Sequence, residues 1–404
     1  LPRARITFQG RHGTLAGALE SPSASPRGYA LFAHCFTCGK DSVAASRISR
    51  ALASHGIAVL RFDFTGLGDS DGDFTNSDFS ANIEDLVAAA DHLRQHYAAP
   101  SLLIGHSLGG TAVLAAAERI PESKAVVTIG SPASPDHVIA QFGADTARIE
   151  TEGKAEVTLG GRNFPIDRSF LDDLRQHAMP ERIRRLRRSL LVMHSPVDAT
   201  VDIAEASEIF AAALHPKSFV SLDDADHLLR RREDAEFVAN TIAGWSDKYF
   251  DAEGDESGEP PDRGHVFVTE RNHRFLRHVQ SDDHDWLADE PTQSGGDNLG
   301  PDPYELLLAA LGTCTSMTLR MYANHKKWDL SDVRVELSHD RDHGPDCERC
   351  DDPGQVIDVV RRMVHIEGNL EEAQRQRLLE IADRCPVHKT LTGDLRVETE
   401  LRTG

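Results

Sequence analysis

Along the first 249 residues, short apolar runs alternate with longer stretches whose apolar positions recur every three or four residues. The runs "ARITF", "TLAGALE", "YALFAH", "IAVLRFDF", "SLLIGHS", "AVVTIG", "SLLVMHS" and "SFVSLDD" predict eight strands. Amphipathic stretches such as "IEDLVAAADHLRQHY" separate the later ones, which predicts a mostly parallel sheet covered by helices on both faces. Residues 131–188, between "AVVTIG" and "SLLVMHS", exceed what a crossover needs. They predict a cap insertion over the functional edge of the sheet, with "RSFLDDLRQHAM" helical.

The pattern breaks at "FDAEGDESGEPPDRG", which is rich in acid, Gly, Pro and Ser and too poor in apolar residues to pack, so residues 250–262 read as a linker. Beyond it, residues 263–404 predict strands at "GHVFVTE", "FLRHVQSDD", "DVRVELSHD", "IDVVRRMVHIEG" and "LRVETELR". A long helix from about Pro303 to Lys326 and the helical "LEEAQRQRLLEIADR" lie among them, giving an α+β second domain. The long helix is apolar on nearly every face and reads as the buried spine of that domain. It carries more apolar surface than so small a domain covers alone, which predicts a homodimer through this domain.

Length agrees with two domains, since 404 residues exceed one ordinary core. A net charge of −21 disfavours phosphate backbones and anionic lipid surfaces, so neither nucleic acid nor a membrane is an expected partner and small neutral substrates fit better. By run length no segment approaches a bilayer span, and the opening "LPRARITFQG" lacks the marks of a secretory signal, so the expected location is cytoplasmic. Six cysteines are too few for a disulfide scaffold of this length; they read as chemical or buried. No motif calls for a cofactor.

Chemistry enters at "LLIGHSLGGTAVLAAAERI", where Gly-x-Ser-x-Gly at 105–109 follows an apolar strand and precedes a small-residue helix. Gly105 and Gly109 allow a turn sharp enough to present Ser107, and the helix start beyond it stabilises developing negative charge. A serine hydroxyl needs a base and an orienting acid on later loops. Asp198 follows the strand "SLLVMHS" and His227 follows "SFVSLDD", giving the order Ser, Asp, His. Asp202, Asp223, Asp224 and Asp226 compete with Asp198 for the acid's role. The backbone N–H groups of Leu108 and Phe36 are the oxyanion-hole candidates.

With "RFDFTGLGDSDG" after the fourth strand, residues 1–249 resemble the α/β-hydrolase superfamily. The resemblance implies a hydrolase of small-molecule acyl esters or thioesters acting through an acyl-serine intermediate. Where many members have His-Gly before the oxyanion residue, this chain has His34-Cys35.

In "ALGTCTSMTL", Cys314 sits mid-helix, and in "ADRCPVHKT", Cys385 precedes Pro386 at a helix start, a setting that lowers thiol pKa; His388 is placed to face it. With "DEPTQSGGDNLGPDPYELLLAAL", these stretches make residues 263–404 resemble the family of osmotically inducible protein C (OsmC) and the organic hydroperoxide resistance proteins. The resemblance implies an intertwined homodimer that reduces organic hydroperoxides at the expense of a thiol reductant, with Cys314 attacking and Cys385 resolving. The glutamate usual ten positions before the first cysteine is Tyr304 here, with Glu305 next to it. The alternative is a non-catalytic dimerisation or binding module. The whole chain resembles a bifunctional α/β-hydrolase/OsmC fusion.

Three other features are weaker. His339, His343, Cys347 and Cys350 have zinc-ligand types at tight local spacing, and a mobile acidic loop or an auxiliary dithiol explains them as well. The Cys35-x-x-Cys38 pair overlaps the oxyanion loop, where small-residue packing accounts for it. "ERIRRLRRS", 181–189, reads as a solvated helix face ending the cap.

Overall fold

A computed structural model describes residues 1–35, 39–73, 78–159, 162–250, 261–343 and 356–401. The chain forms two compact units, Leu1–Gly300 and Pro301–Gly404.

All eight predicted strands of the first unit join one sheet: β1 (Arg3–Gln9), β2 (Thr14–Glu20), β3 (Gly28–Ala33), β4 (Ile57–Phe62), β5 (Leu102–His106), β6 (Ala125–Ile129), then, beyond a cap hairpin of β7 (Lys154–Leu159) and β8 (Arg162–Asp167), β9 (Ser189–His194) and β10 (Lys217–Ser221). Their spatial order is β1-β2-β4-β3-β5-β6-β9-β10. The first three in this order pair antiparallel and the rest parallel.

The continuous apolar runs have a direct cause. Leu31 and Ala33 of β3 enter one core, with helices Phe79–His96 and Leu108–Ala116, while Ala30 and Phe32 enter another, with helices Val43–Ser54 and Arg232–Ser246. A strand covered on both faces has no solvent side, so the period-two alternation vanishes. Arg61, in the middle of β4, is the exception and is fully buried. Its guanidinium bonds Glu20 at 2.7 Å and Asp41 at 2.8 Å, which supplies the pairing that a buried cation requires.

The insertion 131–188 holds the β7–β8 hairpin and helices Asp145–Glu152, Arg168–Gln176 and Met179–Arg185. Its Phe142, Ile149, Phe164 and Phe170 join the core that contains Leu108 and Ala112. Arg182 and Arg185 of the basic run pair with Glu118 and Glu181.

The boundary differs from the one the composition suggests. Residues 267–288 form the antiparallel sheet β11 (Phe267–Glu270), β12 (Arg277–Gln280) and β13 (Asp285–Ala288), and they pack with the first unit, although the pattern assigns them to the second. Leu276, Leu287 and Leu299 enter the first unit's core, and the Tyr97 hydroxyl donates to Asp297 at 2.8 Å. Residues 251–260 of the predicted linker lie outside the described residues, and their composition does not say to which core the next strands attach.

The second unit comprises helix Pro303–Lys326, the long hairpin β14 (Asp329–His343) and β15 (Val356–Asn369), and helices Glu372–Ala382 and Pro386–Thr392. Asp302 and Glu305 close the long helix in a capping box, and Lys327 ends it with φ 55°. By length and composition that helix is apolar enough to cross a membrane, where the count of apolar runs found no such segment. Its burial is also less than its composition suggests: Leu311, Thr315, Leu319 and Ala323 are buried, whereas Met317 is 65% and Met321 72% exposed. One hairpin and two short helices cover one face of a helix, not all of it. Residues 395–401, the predicted closing strand, form none; a strand needs a ladder partner, and Val397 and Leu401 lie exposed.

Candidate active site

Strand β5 ends at His106, and Ser107 turns the chain into the next helix with φ 56°, ψ −130°, a strained conformation for a residue with a side chain. The turn works because its flanks are bare. A Cβ on Gly105 would stand 2.3 Å from the Gly109 carbonyl oxygen, and one on Gly109 would stand 2.4 Å from that of Ala33. The second contact also seats the end of β3, and hence the start of the oxyanion loop, directly against the elbow.

Ser107 Oγ lies 3.0 Å from His227 Nε2, and His227 Nδ1 lies 2.7 Å from Asp198 Oδ2. The other oxygen of Asp198 accepts backbone N–H bonds from Thr200 at 2.8 Å and Val201 at 3.0 Å. Burial alone would raise the Asp198 pKa; the bonds from His227, Val201 and Thr200 outweigh it and hold the carboxyl below its ordinary value. The competing acids are engaged elsewhere. Asp202 caps helix Ile203–Ala212, Asp224 pairs with Arg231, Asp226 accepts the Arg230 N–H, and Asp223 takes a turn conformation with φ 46°.

Two buried histidines at strand ends support this relay. His106 Nε2 lies 2.7 Å from the carbonyl oxygen of His227, and His194, ending β9, holds that of Val201 at 2.9 Å. Burial, and then the neighbouring His227, lowers the His106 pKa to about 4, so the ring is neutral and donates from Nε2. Residue type alone does not reveal either role, although a histidine between Gly105 and Ser107 was the visible hint.

Leu108, buried, opens the helix after Ser107, where its N–H faces forward from the helix start. Phe36, the other oxyanion candidate, lies outside the described residues, as does Cys38. Cys35 is not simply a small packing residue: it is disulfide-bonded, with its side chain buried. Beyond that loop Lys40 reaches Asp63 at 2.7 Å and Asp69 at 2.6 Å, which ties the loop's far end to the "RFDFTGLGDS" segment.

The second unit brings its two cysteines together. Cys385 Sγ, buried at the start of helix Pro386–Thr392, accepts the His388 N–H at 3.3 Å and lies 3.6 Å from the hydroxyl of Thr315, whose neighbour Cys314 is half-buried. Burial opposes ionisation of Cys385, but the bonds from Thr315, His388 and Cys314, with the charge of Arg362, hold its pKa below the ordinary thiol value. Arg362 was not foreseen. It donates to Thr315 at 3.0 Å and to Asp383 at 2.5 Å from the middle of β15.

Glu305 serves the helix cap, while Tyr304 stacks on His339 with ring centroids 4.3 Å apart. His339 bonds Asp358 at 2.9 Å, and no group of three metal-ligating side chains occurs among the described residues. The His343 side chain, Cys347 and Cys350 lie outside them.

The arrangement in the first unit can deprotonate Ser107 through His227 and stabilise the resulting imidazolium with Asp198. Comparison with known proteins agrees with the fold. Residues 30–278 match the alpha/beta hydrolase family, and residues 295–400 match OsmC-like protein. Over 227 residues the chain is 26% identical to the mitochondrial palmitoyl-protein thioesterase ABHD10 of Mus musculus, covering 54% of this chain and 75% of that protein. Over 156 residues it is 30% identical to the monoglyceride lipase of Homo sapiens, covering 37% and 49%. The esterase domain of a Rhodothermus marinus protein is 48% identical, with a TM-score of 0.52, and matches 62% of this chain over 100% of its own length. Est1E from Butyrivibrio proteoclasticus, 18% identical with a TM-score of 0.54, covers 60% of this chain and 98% of its own and shares the fold. The chain therefore belongs to the alpha/beta hydrolase family, its hydrolase fold followed by an OsmC-like domain.

Proposed function

We propose that the first unit cleaves small-molecule acyl esters or thioesters through an acyl-serine intermediate. The observation that carries this reading is the continuous relay from Ser107 through His227 to Asp198. His227 takes the Ser107 proton as Oγ adds to the acyl carbon, then delivers it to the leaving alcohol or thiol. Water repeats the cycle on the acyl-enzyme and releases the acid. The Leu108 N–H receives the developing oxyanion, and the helix starting there adds its dipole. The activities of the similar proteins, esterase and palmitoyl-protein thioesterase, support the ester and thioester class.

The second unit acts, on the same footing, as a thiol peroxidase. The Cys314 thiolate attacks the terminal oxygen of an organic hydroperoxide, the O–O bond breaks, and an alcohol and a sulfenic acid result. Cys385 condenses with the sulfenic acid, releasing water and leaving a disulfide that a thiol reductant returns to two thiols. The Cys385 sulfur lies 3.6 Å from the hydroxyl of Thr315, the residue next to Cys314, which supports this. Tyr304, stacked on His339 where the family has an acid, favours the second reading, a non-catalytic dimerisation or binding module. The exposed Met317 and Met321 of the long helix support a homodimer through the second unit.

An activity matrix tests the pair: short and long acyl esters, acyl thioesters and an organic hydroperoxide against wild type, Ser107→Ala, Asp198→Asn, Asp226→Asn and Cys314→Ser. Ser107→Ala should lower acyl turnover by ~10⁴ or more, Asp198→Asn by ~10² to 10⁴ and Asp226→Asn by less than about threefold. Only Cys314→Ser should abolish peroxide reduction. Near-normal ester turnover in Ser107→Ala would remove the hydrolase reading, and peroxide reduction surviving Cys314→Ser would remove the peroxidase reading.

A further inference from the structure

Strand β6 ends at Ile129, and Gly130 carries the chain out of the sheet into the cap insertion. This exit lies against the relay. A Cβ on Gly130 would stand 3.3 Å from Asp198 Oδ2 and 3.4 Å from His227 Nδ1, the two atoms of the bond that orients the base. A shift of the first cap residues is therefore felt at that bond unless something holds them.

One carboxylate does so. Glu205, in the first turn of helix Ile203–Ala212, accepts the Ala133 N–H on Oε2 at 2.7 Å, and its Oε1 lies 3.3 Å from His137 Nδ1. His137 Nε2 lies 3.4 Å from the carbonyl oxygen of Thr200, whose N–H donates to Asp198 Oδ1 at 2.8 Å. Either tautomer of His137 keeps one of these two contacts, so the ring ties the stem of the cap to Glu205 or to the acid loop itself. The helix that carries Glu205 is anchored in turn. Asp202, on the same loop as Asp198, caps it through the Ala204 N–H at 2.8 Å, and its Ala206 and Ile209 are buried in the same core as Ala133. The helix dipole accounts for a carboxylate in a first turn, but not for one whose two oxygens both turn to the cap stem.

We infer that Glu205 is a positioning residue: it clamps the stem of the cap to the acid loop, so that motion of the cap does not reach the bond between Asp198 and His227. The inference rests on the hydrolase reading and adds to it a residue that acts through Asp198 and not on the reacting atoms.

Steady-state hydrolysis of p-nitrophenyl butyrate by the full chain tests it. Glu205→Ala should lower kcat by ~10- to 100-fold, the order expected when a catalytic group is displaced by about an ångström, with KM changed by less than about twofold. Glu205→Gln keeps an acceptor for the Ala133 N–H and should return kcat to within about threefold of wild type. Because the effect passes through Asp198, Glu205→Ala should cost less than about twofold in an Asp198→Asn background, measured above the Ser107→Ala baseline. Glu205→Met, which keeps the length of the side chain without its acceptors, carries the test if Glu205→Ala does not fold. An unaltered kcat in the acceptor-less variant overturns the inference. So does Glu205→Gln as slow as that variant, or the same loss repeated in Asp198→Asn. Ester turnover surviving in Ser107→Ala would remove the hydrolase reading, and this inference with it.

Discussion

His106 Nε2 stands 2.7 Å from the carbonyl oxygen of His227, so the residue just before the nucleophile fixes the backbone that carries the base. Removing this bond frees the His227 loop without touching substrate. Misplacing a catalytic group by about an ångström costs on the order of 10²-fold in rate. His106→Ala should therefore lower kcat for ester cleavage by ~10- to 100-fold with little change in KM, and His106→Gln, which keeps a donor, should recover part of it. An unaltered kcat in His106→Ala would leave the ring a packing role only.

The same ring gives a signed pH effect on stability. Its pKa is depressed to about 4 by burial, while the unfolded chain titrates near the ordinary value of 6.5. The unfolded state thus binds more protons between these values. Stability from neutral His106 is complete above pH ~6.5 and is lost progressively as pH falls towards about 4, by at most ~3 kcal/mol. Urea unfolding of wild type and His106→Gln across this window should give a shallower acid decline for the variant.

The Cys35 disulfide cross-links the backbone one residue beyond His34, on the stretch that abuts Gly109 of the elbow. A dithiol exchanges with it, leaving two protein thiols and an oxidised reductant. Released from the cross-link, the Ala33–Cys35 stretch beside Gly109 is held less firmly, and ester kcat should fall several-fold in wild type and equally in Cys314→Ser. Cys35→Ala should start at the reduced level and ignore the dithiol. Turnover unmoved by full reduction, checked by thiol counting, would show that the cross-link does not hold the stretch that abuts the elbow.

What the sequence disclosed follows from range. Apolar runs such as "IAVLRFDF" and the glycines flanking Ser107 are local requirements of buried strands and a tight turn, so eight strands and the Ser, Asp, His order could be read directly. Arg362 and Thr315 meet across 47 residues, and Lys40 meets Asp63 across 23; neither partner marks the other in the pattern. Arg61 was the legible anomaly, a charge inside a core strand that had to find Glu20 and Asp41. The long helix misled for the opposite reason. Composition reports how much apolar surface a helix offers, not how much its own chain can cover.

That uncovered surface supports the proposed homodimer. Met317 and Met321 are four residues apart on one face of Pro303–Lys326, and they are 65% and 72% exposed. Covering a methionine side chain is worth about 1.5–3 kcal/mol, so two per chain contribute appreciably to association. Light scattering of the full chain at micromolar concentration should report twice 44.4 kDa, and Met317→Arg with Met321→Arg should return the single-chain mass. A wild-type monomer would contradict the dimer.

The relation between Cys314 and Cys385 gives the last prediction. Cys385 is buried and its thiolate is favoured by Thr315, His388, Cys314 and the charge of Arg362, whereas Cys314 is the more accessible of the two. A peroxide therefore meets Cys314 first, and the poised Cys385 thiolate captures the sulfenic acid. One equivalent of organic hydroperoxide should join Cys314 to Cys385 within one chain, and in Cys385→Ser the first cysteine should proceed to sulfinic acid. Arg362→Gln removes the cation, raises the Cys385 pKa, and should shift the midpoint of the pH–rate profile for disulfide formation upward. Peptide mass mapping after alkylation reads the products, with Cys347 and Cys350 as internal controls. A disulfide between those two, with Cys314 still reduced, would place the redox chemistry outside the long helix and leave Cys314 as packing.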